Sequence, residues 1–476
     1  MASDIPALER AYRHAVDYLS GLDTRSVATT KGLSELREAL WKPLAARGAP
    51  PEVIIDDLVR ATEGGQLGVA SGRFFAWVMG GALPSALAAD WLASTWDANA
   101  CIYACGPAAA VVEEVAGAWV KEALDLPREA SFAFTTGCQL AHMTCLAAAR
   151  HAVLRDAGWD VEADGLCGAP AIRVLASDQR HGSVERALRF LGIGTRALQA
   201  LPTGEDGRLA ASALGRALAA GGGPTIVILD AADLNVGAVD PFPELIPLAR
   251  AAGAWVHVDG AFGLWARASR ERRHLVEGVE LADSWATDAH KWLNTPQDSG
   301  VAIVRDRPAH KAAMTVSASY IAPGGEARDA IDWTPEWTRR ARGYAVYAAL
   351  RELGGDGLAD LIDRCCAHAA ALAHGIAAIP GAELIAAPTL NQGLVRFTAP
   401  GAASEDDHDT RTDQVIGRIN ATGEAFFSGT TWRGRRAMRI SVCNWRTSAQ
   451  DVERAIEAVR AVLIDDAGAA PPRQLR

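Results

Sequence analysis

Trp255-Val-His-Val-Asp-Gly-Ala-Phe262 is a short apolar run that ends on a carboxylate and two small residues. In an open α/β sheet, catalytic groups lie beyond the carboxyl ends of the strands, which is where Asp259 would stand. Comparable apolar runs recur along the chain, with helical patterns between several of them. The runs are residues 131–136, 172–177, 195–201, 225–230, 284–287 and 300–304, and the helical patterns are 139–157, 183–191, 210–220 and 243–252. This alternation predicts an α/β fold whose mostly parallel sheet is covered on both faces.

The composition is that of a globular protein and excludes several classes of partner. The chain has 476 residues, 49% of them hydrophobic and 22% charged, with a net charge of −10. Because no dense Lys/Arg block occurs, we expect no nucleic-acid partner, and no apolar stretch is long enough for a membrane span. The start lacks a signal-peptide pattern, and the eight cysteines lack both zinc-site and disulfide spacing. We therefore expect reduced thiols, a cytoplasmic protein and no metal.

The pattern along the chain predicts four parts. They are an N-terminal helical segment (residues 1–75), a large α/β domain (76–335), a smaller α+β domain (336–466) and a flexible tail (467–476). In the smaller domain we expect helices at 336–353, 358–376, 413–420 and 449–464, and strands at 383–385, 394–398, 425–428 and 437–442. Residues 401–409 are acidic and are predicted to form a solvated loop.

Two strand ends carry groups that could hold an aldehyde cofactor. Lys291 lies between a strand end and the bulky Trp292, so burial is expected to lower the pKa of its amine and make it nucleophilic. Asp259 could keep a pyridine nitrogen protonated, and Gly260 and Ala261 leave room for a flat ring. Each feature has an ordinary alternative, because most lysines are solvated and an Asp after a strand is often a helix cap.

Two further turns complete the pattern. Gly137-Cys138-Gln139 leads directly into a helix, whose positive end could cradle a phosphate. His181 lies between a strand and a helix whose N-cap we predict to be Ser183, and its imidazole could stack on an aromatic ring. A single histidine is more often structural, and any such turn may use glycine. Together the four features supply what pyridoxal-5′-phosphate (PLP) requires, and we predict that cofactor.

The chain resembles the pyridoxal-dependent (group II) amino-acid decarboxylases from about Phe74 to the last helix. The motifs that carry the resemblance are Asp178-Gln-Arg-His-Gly-Ser-Val-Glu-Arg-Ala187, His257-Val-Asp-Gly-Ala261 and Asp288-Ala-His-Lys-Trp-Leu293. The resemblance implies the fold of aspartate aminotransferase (PLP fold type I), with a seven-stranded, mostly parallel sheet between helices and a smaller C-terminal α+β lobe. It also implies a homodimer with active sites at the interface.

The same resemblance implies a role for individual residues. Lys291 would hold PLP as a Schiff base, Asp259 would pair with the pyridine nitrogen and His181 would stack on the ring. Tyr320 matches a tyrosine on a mobile loop that returns a proton to the α-carbon, a step that His181 could also perform. The remaining expected residues are Gly137, Cys138 and Gln139 in the phosphate turn, Ala261 and His290 at the cofactor, and Phe74, Phe75 and Trp77 as substrate-pocket walls or simple packing residues.

Several departures from the family pattern leave the substrate open. Gln139-Leu140 stands where the family often has Ser-Glu, Ala232-Asp233-Leu234 where it commonly has Gly-Thr-Thr, and Ser71-Gly72 where it has His-Pro. The predicted reaction is decarboxylation of an L-amino acid to the amine and CO2. Transamination, aldol cleavage, decarboxylation with aldehyde formation, or PLP binding without turnover remain alternatives.

Overall fold

The computed structural model describes residues 4–316 and 326–468, with side chains to residue 465. The chain divides into two compact units. The larger comprises Gly80–Ala367 and Ala387–Gly393, and the smaller comprises Met1–Met79, His368–Ala386 and Leu394–Arg476. The predicted boundary near residue 335 lies inside the larger unit of this division. Residues up to 367 belong to the larger unit because Tyr347 stacks on Trp119 and Asp363 accepts a hydrogen bond from Ser269 there.

The larger unit contains the predicted seven-stranded sheet. Its strands are β1 (Ser131–Thr135), β2 (Arg173–Ser177), β3 (Leu198–Leu201), β4 (Thr225–Asp230), β5 (Trp255–Asp259), β6 (Ser284–Asp288) and β7 (Gly300–Val304). The order across the sheet is β1-β7-β6-β5-β4-β2-β3. Only β7 runs antiparallel to its neighbours, so the sheet is mostly parallel as predicted. All seven expected strands form, although residues 195–197 make a helical turn before β3.

The smaller unit contains a second sheet in the order β10-β11-β9-β8. Its strands are β8 (Ala382–Ala386), β9 (Gln392–Phe397), β10 (Ser428–Trp432) and β11 (Arg435–Ser441). The strand predicted at 425–428 is displaced to Ser428–Trp432. The reason is that Phe426 pairs instead with the segment at Phe74, and its N–H donates to the Arg73 carbonyl.

The helices flank both sheets. In chain order they are α1 (Ile5–Ser20), α2 (Leu33–Leu40), α3 (Pro51–Thr62), α4 (Pro84–Thr95), α5 (Pro107–Ala123), α6 (Cys138–Asp156), α7 (Val161–Asp164), α8 (Gly182–Phe190), α9 (Ala211–Ala219), α10 (Phe242–Ala251), α11 (Arg307–Met314), α12 (Gly343–Ala377, interrupted at Gly354), α13 (Glu405–Ala421) and α14 (Ala449–Gly468). Among the described residues, no helix combines the length and apolar character needed to cross a bilayer.

Residues 405–409 of the acidic segment predicted as a loop instead begin α13, whereas residues 401–404 precede the helix. Ser404 and Asp407 form reciprocal capping hydrogen bonds, and Glu405 and Asp406 add negative charge at the same end. Acidic side chains stabilise the positive end of a helix, so the charges that suggested a loop start this helix.

Helix α6 lies on the centre of the large sheet and fixes the position of the turn before it. Its inner face is lined by small residues, including Ala141, Ala148 and Cys145, all fully buried. The turn itself passes very close to β7. A Cβ on Gly300 would lie 2.5 Å from the Cα of Gly137, so glycine is required there for the approach.

Candidate functional site

Three carboxylates stand at the carboxyl ends of adjacent strands in the larger unit. Asp230 ends β4, Asp259 ends β5 and Asp288 ends β6, and Asp230 and Asp259 are paired in register. All three are buried. The chain turns after Asp288 and brings Lys291 back to the same edge. The predicted residues Lys291 and Asp259 therefore lie at the same edge of the sheet.

The amine of Lys291 is paired with Asp288. Its Nζ lies 3.0 Å from Oδ2 of Asp288, and 22% of the side chain is exposed. Burial alone would lower the pKa of Lys291, but the neighbouring carboxylate outweighs burial, and the pKa lies above its usual value. The expectation of a lowered pKa is therefore wrong, because it considered burial without the ion pair.

Asp288 also reaches the turn before α6. Its Oδ1 accepts the N–H of Cys138 at 2.6 Å, and its backbone carbonyl accepts the indole N–H of Trp265 at 3.0 Å. One carboxylate thus connects the lysine to the helix start. Asp288 is the first residue of the predicted motif at 288–293, but no role was predicted for it. Its position at a strand end three residues before the lysine was the available signal.

The predicted phosphate turn is formed as a tight junction. Gly137 precedes α6, and a Cβ there would lie 3.2 Å from Cε1 of His290, which places His290 beside the turn. Burial raises the pKa of the Cys138 thiol well above its usual value, so this cysteine is protonated. The side chain of Gln139 donates to the carbonyl of Ser183 at 3.2 Å, which ties the turn to the start of α8.

His290 and Ser299 form a second part of this turn. The N–H of Ser299 donates to Nδ1 of His290 at 3.0 Å, and burial lowers the pKa of His290, so its ring is neutral. The hydroxyl oxygen of Ser299 is buried and has no hydrogen-bond partner among the described residues. A buried unpaired hydroxyl fits a site that receives a polar group of a ligand. Sequence reasoning missed Ser299, since no motif marked it.

His181 is the N-cap of α8, which corrects the prediction that Ser183 is the cap. The N–H of Ser183 donates to Nδ1 of His181 at 3.2 Å. A backbone N–H can only donate, so Nδ1 is an acceptor and the ring proton is on Nε2. His181 also lies close enough to Asp259 to help lower the pKa of that carboxyl.

Asp259 is held as a carboxylate in a buried setting. Burial would raise its pKa, but His142, followed by His181 and Lys291, brings the pKa below its usual value. Its Oδ2 lies 3.3 Å from Nε2 of His142, and Oδ1 accepts the N–H of Ala261 at 3.1 Å. An ionised carboxylate here fits the cationic ring nitrogen of PLP.

The spacing around His142 could also be bridged by a metal. Donor atoms of Cys138, His142 and Asp259 all lie within 4.8 Å of one another. Hydrogen bonding accounts for these contacts, because His142 Nε2 lies 3.3 Å from the carboxylate and 3.5 Å from the protonated thiol. We infer no metal site.

The other predicted site residues lie elsewhere in the chain. Phe74 and Phe75 belong to the smaller unit, where they are buried and stack on Phe426 and Phe427 at 5.3 Å in each pair. Trp77, in the same unit, is 48% exposed. Tyr320 lies outside the described residues.

Comparison with known proteins indicates the same family that the sequence motifs resemble. Residues 41–399 match the model of the pyridoxal-dependent decarboxylase conserved domain. The chain is 27% identical over 459 residues to an aromatic-L-amino-acid decarboxylase of Bacillus atrophaeus, covering 94% of this chain and 92% of that one. It is 32% identical over 385 residues to an L-2,4-diaminobutyrate decarboxylase of Rhizobium meliloti (strain 1021), covering 79% and 74%.

Solved structures agree. The crystal structure of Oryza sativa TDC with PLP and tryptamine superimposes with a TM-score of 0.91 at 26% identity, over 98% of this chain and 99% of that one. The family match spans most of the chain, and the residues at the sheet edge fit the cofactor. This protein therefore belongs to the pyridoxal-dependent decarboxylase family and is a PLP-dependent carboxy-lyase of amino acids.

Proposed function

We propose that this protein converts an L-amino acid to the corresponding amine and CO2, with PLP attached to Lys291. The observation that carries the proposal is the connection made by Asp288. Its two oxygens contact the Lys291 amine and the Cys138 amide, so the attachment point and the start of α6 share one carboxylate. Asp259 stands at the adjacent strand end of the same sheet.

When bound, PLP supplies an aldehyde that condenses with amines and an electron-poor ring that withdraws charge from the α-carbon. Lys291 provides the attaching amine, and its partial exposure leaves it accessible. Asp259 would hold a proton on the ring nitrogen, and Ala261 and His181 would contact the ring. Asp259 is nearly inaccessible to water, which strengthens its interaction with a cationic nitrogen.

The phosphate is assigned to the start of α6. Gly137, Cys138 and Gln139 offer the positive end of a 19-residue helix, and His290 and Ser299 border the same turn. The Ser299 hydroxyl supplies a hydrogen-bond donor that no described residue of the chain uses. The Cys138 N–H donates to Asp288, so this hydrogen bond must be exchanged or shared when phosphate binds.

Whether the product is an amine depends on which atom receives a proton after CO2 leaves. By its family position Tyr320 is assigned to deliver it to the α-carbon, with His181 as the alternative donor. For the substrate we propose an aromatic or otherwise bulky L-amino acid, with Phe74, Phe75 and Trp77 as candidate walls. The support for this class is the likeness to an aromatic-L-amino-acid decarboxylase over nearly the whole chain.

The test is product analysis with PLP-loaded protein and a panel that contains aromatic, acidic and diamino acids. We expect CO2 and amine in equal amounts from an aromatic member, and none from Lys291→Ala. Borohydride reduction and peptide mapping should place the pyridoxyl label on Lys291. A keto acid formed with an amino acceptor, an aldehyde, or no turnover of any member by loaded protein would each overturn the proposal.

We further propose a cytoplasmic homodimer. None of the residues of α1, α2 and α3 is buried. Exposed apolar side chains on these helices include Leu8, Tyr12, Leu40 and Leu58, and Trp41 directly follows α2. A second copy of the chain would remove this apolar surface from water. The eight free cysteines are in keeping with a reducing compartment.

A further inference from the structure

A line of four buried side chains runs behind Asp259 and ends at an indole. Nε2 of His142 lies 3.3 Å from Oδ2 of Asp259, and Nδ1 of His142 lies 2.9 Å from Nε2 of His257. Nδ1 of His257 lies 2.9 Å from the hydroxyl of Ser284, which is 3.0 Å from the indole nitrogen of Trp255. The two histidines and the serine have no exposed surface.

The hydrogen bonds of this line can all run in one direction, from the indole toward the carboxylate. An indole N–H can only donate, so Ser284 accepts from Trp255, and its own hydrogen is available to Nδ1 of His257. His257 then carries its proton on Nε2 and donates to Nδ1 of His142. His142 in turn carries its proton on Nε2 and donates to Asp259, which as a carboxylate can only accept.

No member of this line needs a charge except the carboxylate at its end. Burial and the proximity of His142 lower the pKa of His257 to about 3, so it is neutral. A neutral His257 has one donor and one acceptor nitrogen, which is what its place in the line requires. Hydrogen bonds in series polarise one another, so the last N–H is a better donor than an isolated imidazole.

We propose that His142 is a positioning residue, whose Nε2–H orients Asp259 and keeps it ionised so that its other oxygen can hold the proton on the cofactor's ring nitrogen. This inference rests on the proposed role of Asp259. His142 would not touch the substrate or the reacting atoms. His257, Ser284 and Trp255 would act through it by fixing its tautomer.

The test measures the protonation state of the cofactor's ring nitrogen. PLP labelled with ¹⁵N at the ring is loaded into the full-length protein, and its ¹⁵N chemical shift distinguishes a protonated from a neutral ring. We expect wild type and His142→Gln, which retains an N–H donor near the Nε2 position, to give the protonated signal. His142→Leu should move the signal toward the neutral form and lower kcat by about tenfold or more, with a smaller change in KM.

Two controls separate this effect from general damage. His310 is also fully buried and makes two hydrogen bonds, to Ser131 and to the Trp333 carbonyl, in a different part of the unit. His310→Leu should lower stability without moving the ring-nitrogen signal. If His142→Leu does not bind PLP, His142→Asn replaces it, since its amide is too short to reach Asp259.

Asp259→Asn separates a failure of the proposed role of His142 from a failure of the proposed role of Asp259. If Asp259→Asn moves the signal and the two donor-deleting His142 variants do not, the role of His142 is wrong and that of Asp259 stands. If Asp259→Asn leaves the signal unchanged, the proposed role of Asp259 fails and the inference fails with it. A signal in His142→Gln as displaced as that in His142→Leu would also overturn the inference, because the donor would not matter.

Discussion

Asp288 and Lys291 form an ion pair in which Oδ2 lies 3.0 Å from Nζ, while Oδ1 of the same carboxylate accepts the Cys138 amide. Lys291 is therefore an ammonium at neutral pH, because the carboxylate raises the pKa of its amine above the usual value. An ammonium cannot attack an aldehyde, so a proton must leave before the cofactor attaches. The ion pair keeps the amine protonated and therefore limits how fast it can react with the aldehyde.

The first prediction is that PLP attaches faster as the pH rises. Below the raised pKa of Lys291, the fraction of neutral amine grows about tenfold for each pH unit. Asp288→Asn retains an oxygen for the Cys138 amide but removes the charge that stabilises the ammonium. We expect attachment at pH 7 to be faster in this variant by about tenfold, measured by stopped-flow absorbance. Asp90→Asn, which breaks an exposed pair with Arg340, is the matched control and should behave as wild type. Equal rates in Asp288→Asn and wild type would contradict the prediction.

The second prediction concerns the unpaired hydroxyl of Ser299. If it binds the phosphate, Ser299→Ala should raise the Kd for PLP by about five- to tenfold, the value of one hydrogen bond. Equilibrium dialysis measures this directly. Thr287→Val is the control. The Thr287 hydroxyl is also buried and has no partner in the described parts of the chain, but it points to the opposite face of β6 from Asp288. The assignment fails if the two variants weaken PLP binding equally, or if neither does.

The sequence was sufficient to predict the strands of the large sheet, because each of them is a short apolar run and helical patterns lie between several of these runs. The pattern also places Lys291, Asp259 and His181 at or just after strands that it locates, and their roles at the cofactor stay predictions. The strands of the smaller unit were harder to predict. Its strand β10 begins at Ser428, and the residues just before it, which looked equally strand-like, pair with the segment at Phe74 instead.

The contacts that set the chemistry could not be predicted from the sequence, because they join residues distant along the chain. Asp288 and Cys138 are 150 residues apart, and His142 and His257 are 115 apart. The pKa of Lys291 shows the consequence. A strand end next to Trp292 suggested burial and a lowered pKa, whereas the direction depends on where the Asp288 carboxylate points.

The third prediction separates packing from substrate contact among the N-terminal aromatic residues. Phe75 is fully buried and stacks on Phe427 at 5.3 Å, so Phe75→Ala should lower the free energy of unfolding by about 3–5 kcal/mol. Trp77 is half-exposed, and Trp77→Ala should cost far less stability. If Trp77 contacts substrate, its removal raises KM for an aromatic amino acid. Urea unfolding and steady-state kinetics measure the two effects, and an unchanged KM would remove Trp77 from the proposed pocket.

The fourth prediction concerns the apolar face of α1. Ile5, Leu8, Tyr12 and Val16 are exposed and share one side of the helix by their spacing. Replacing both Leu8 and Tyr12 with lysine should convert a dimer to a monomer, measured by light scattering after gel filtration. Glu9→Lys changes a charge at a neighbouring position of the same helix and should leave the dimer intact. A double variant that stays dimeric, or a wild type that is monomeric, would contradict the proposed assembly.

The fifth prediction is a loss of stability in acid that can be traced to His310. Burial lowers the pKa of this histidine to about 3, so it stays neutral in the folded chain while the unfolded chain takes up a proton near pH 6.5. Between these values the unfolded state binds more protons, so the free energy of unfolding falls as the pH falls. His310→Gln cannot titrate and loses stability less steeply. The stability advantage of wild type over His310→Gln should therefore shrink by about 2 kcal/mol between pH 7.5 and pH 5. Urea unfolding of both proteins without PLP measures this difference, and a constant gap across that range would show that His310 is not neutral in the folded chain.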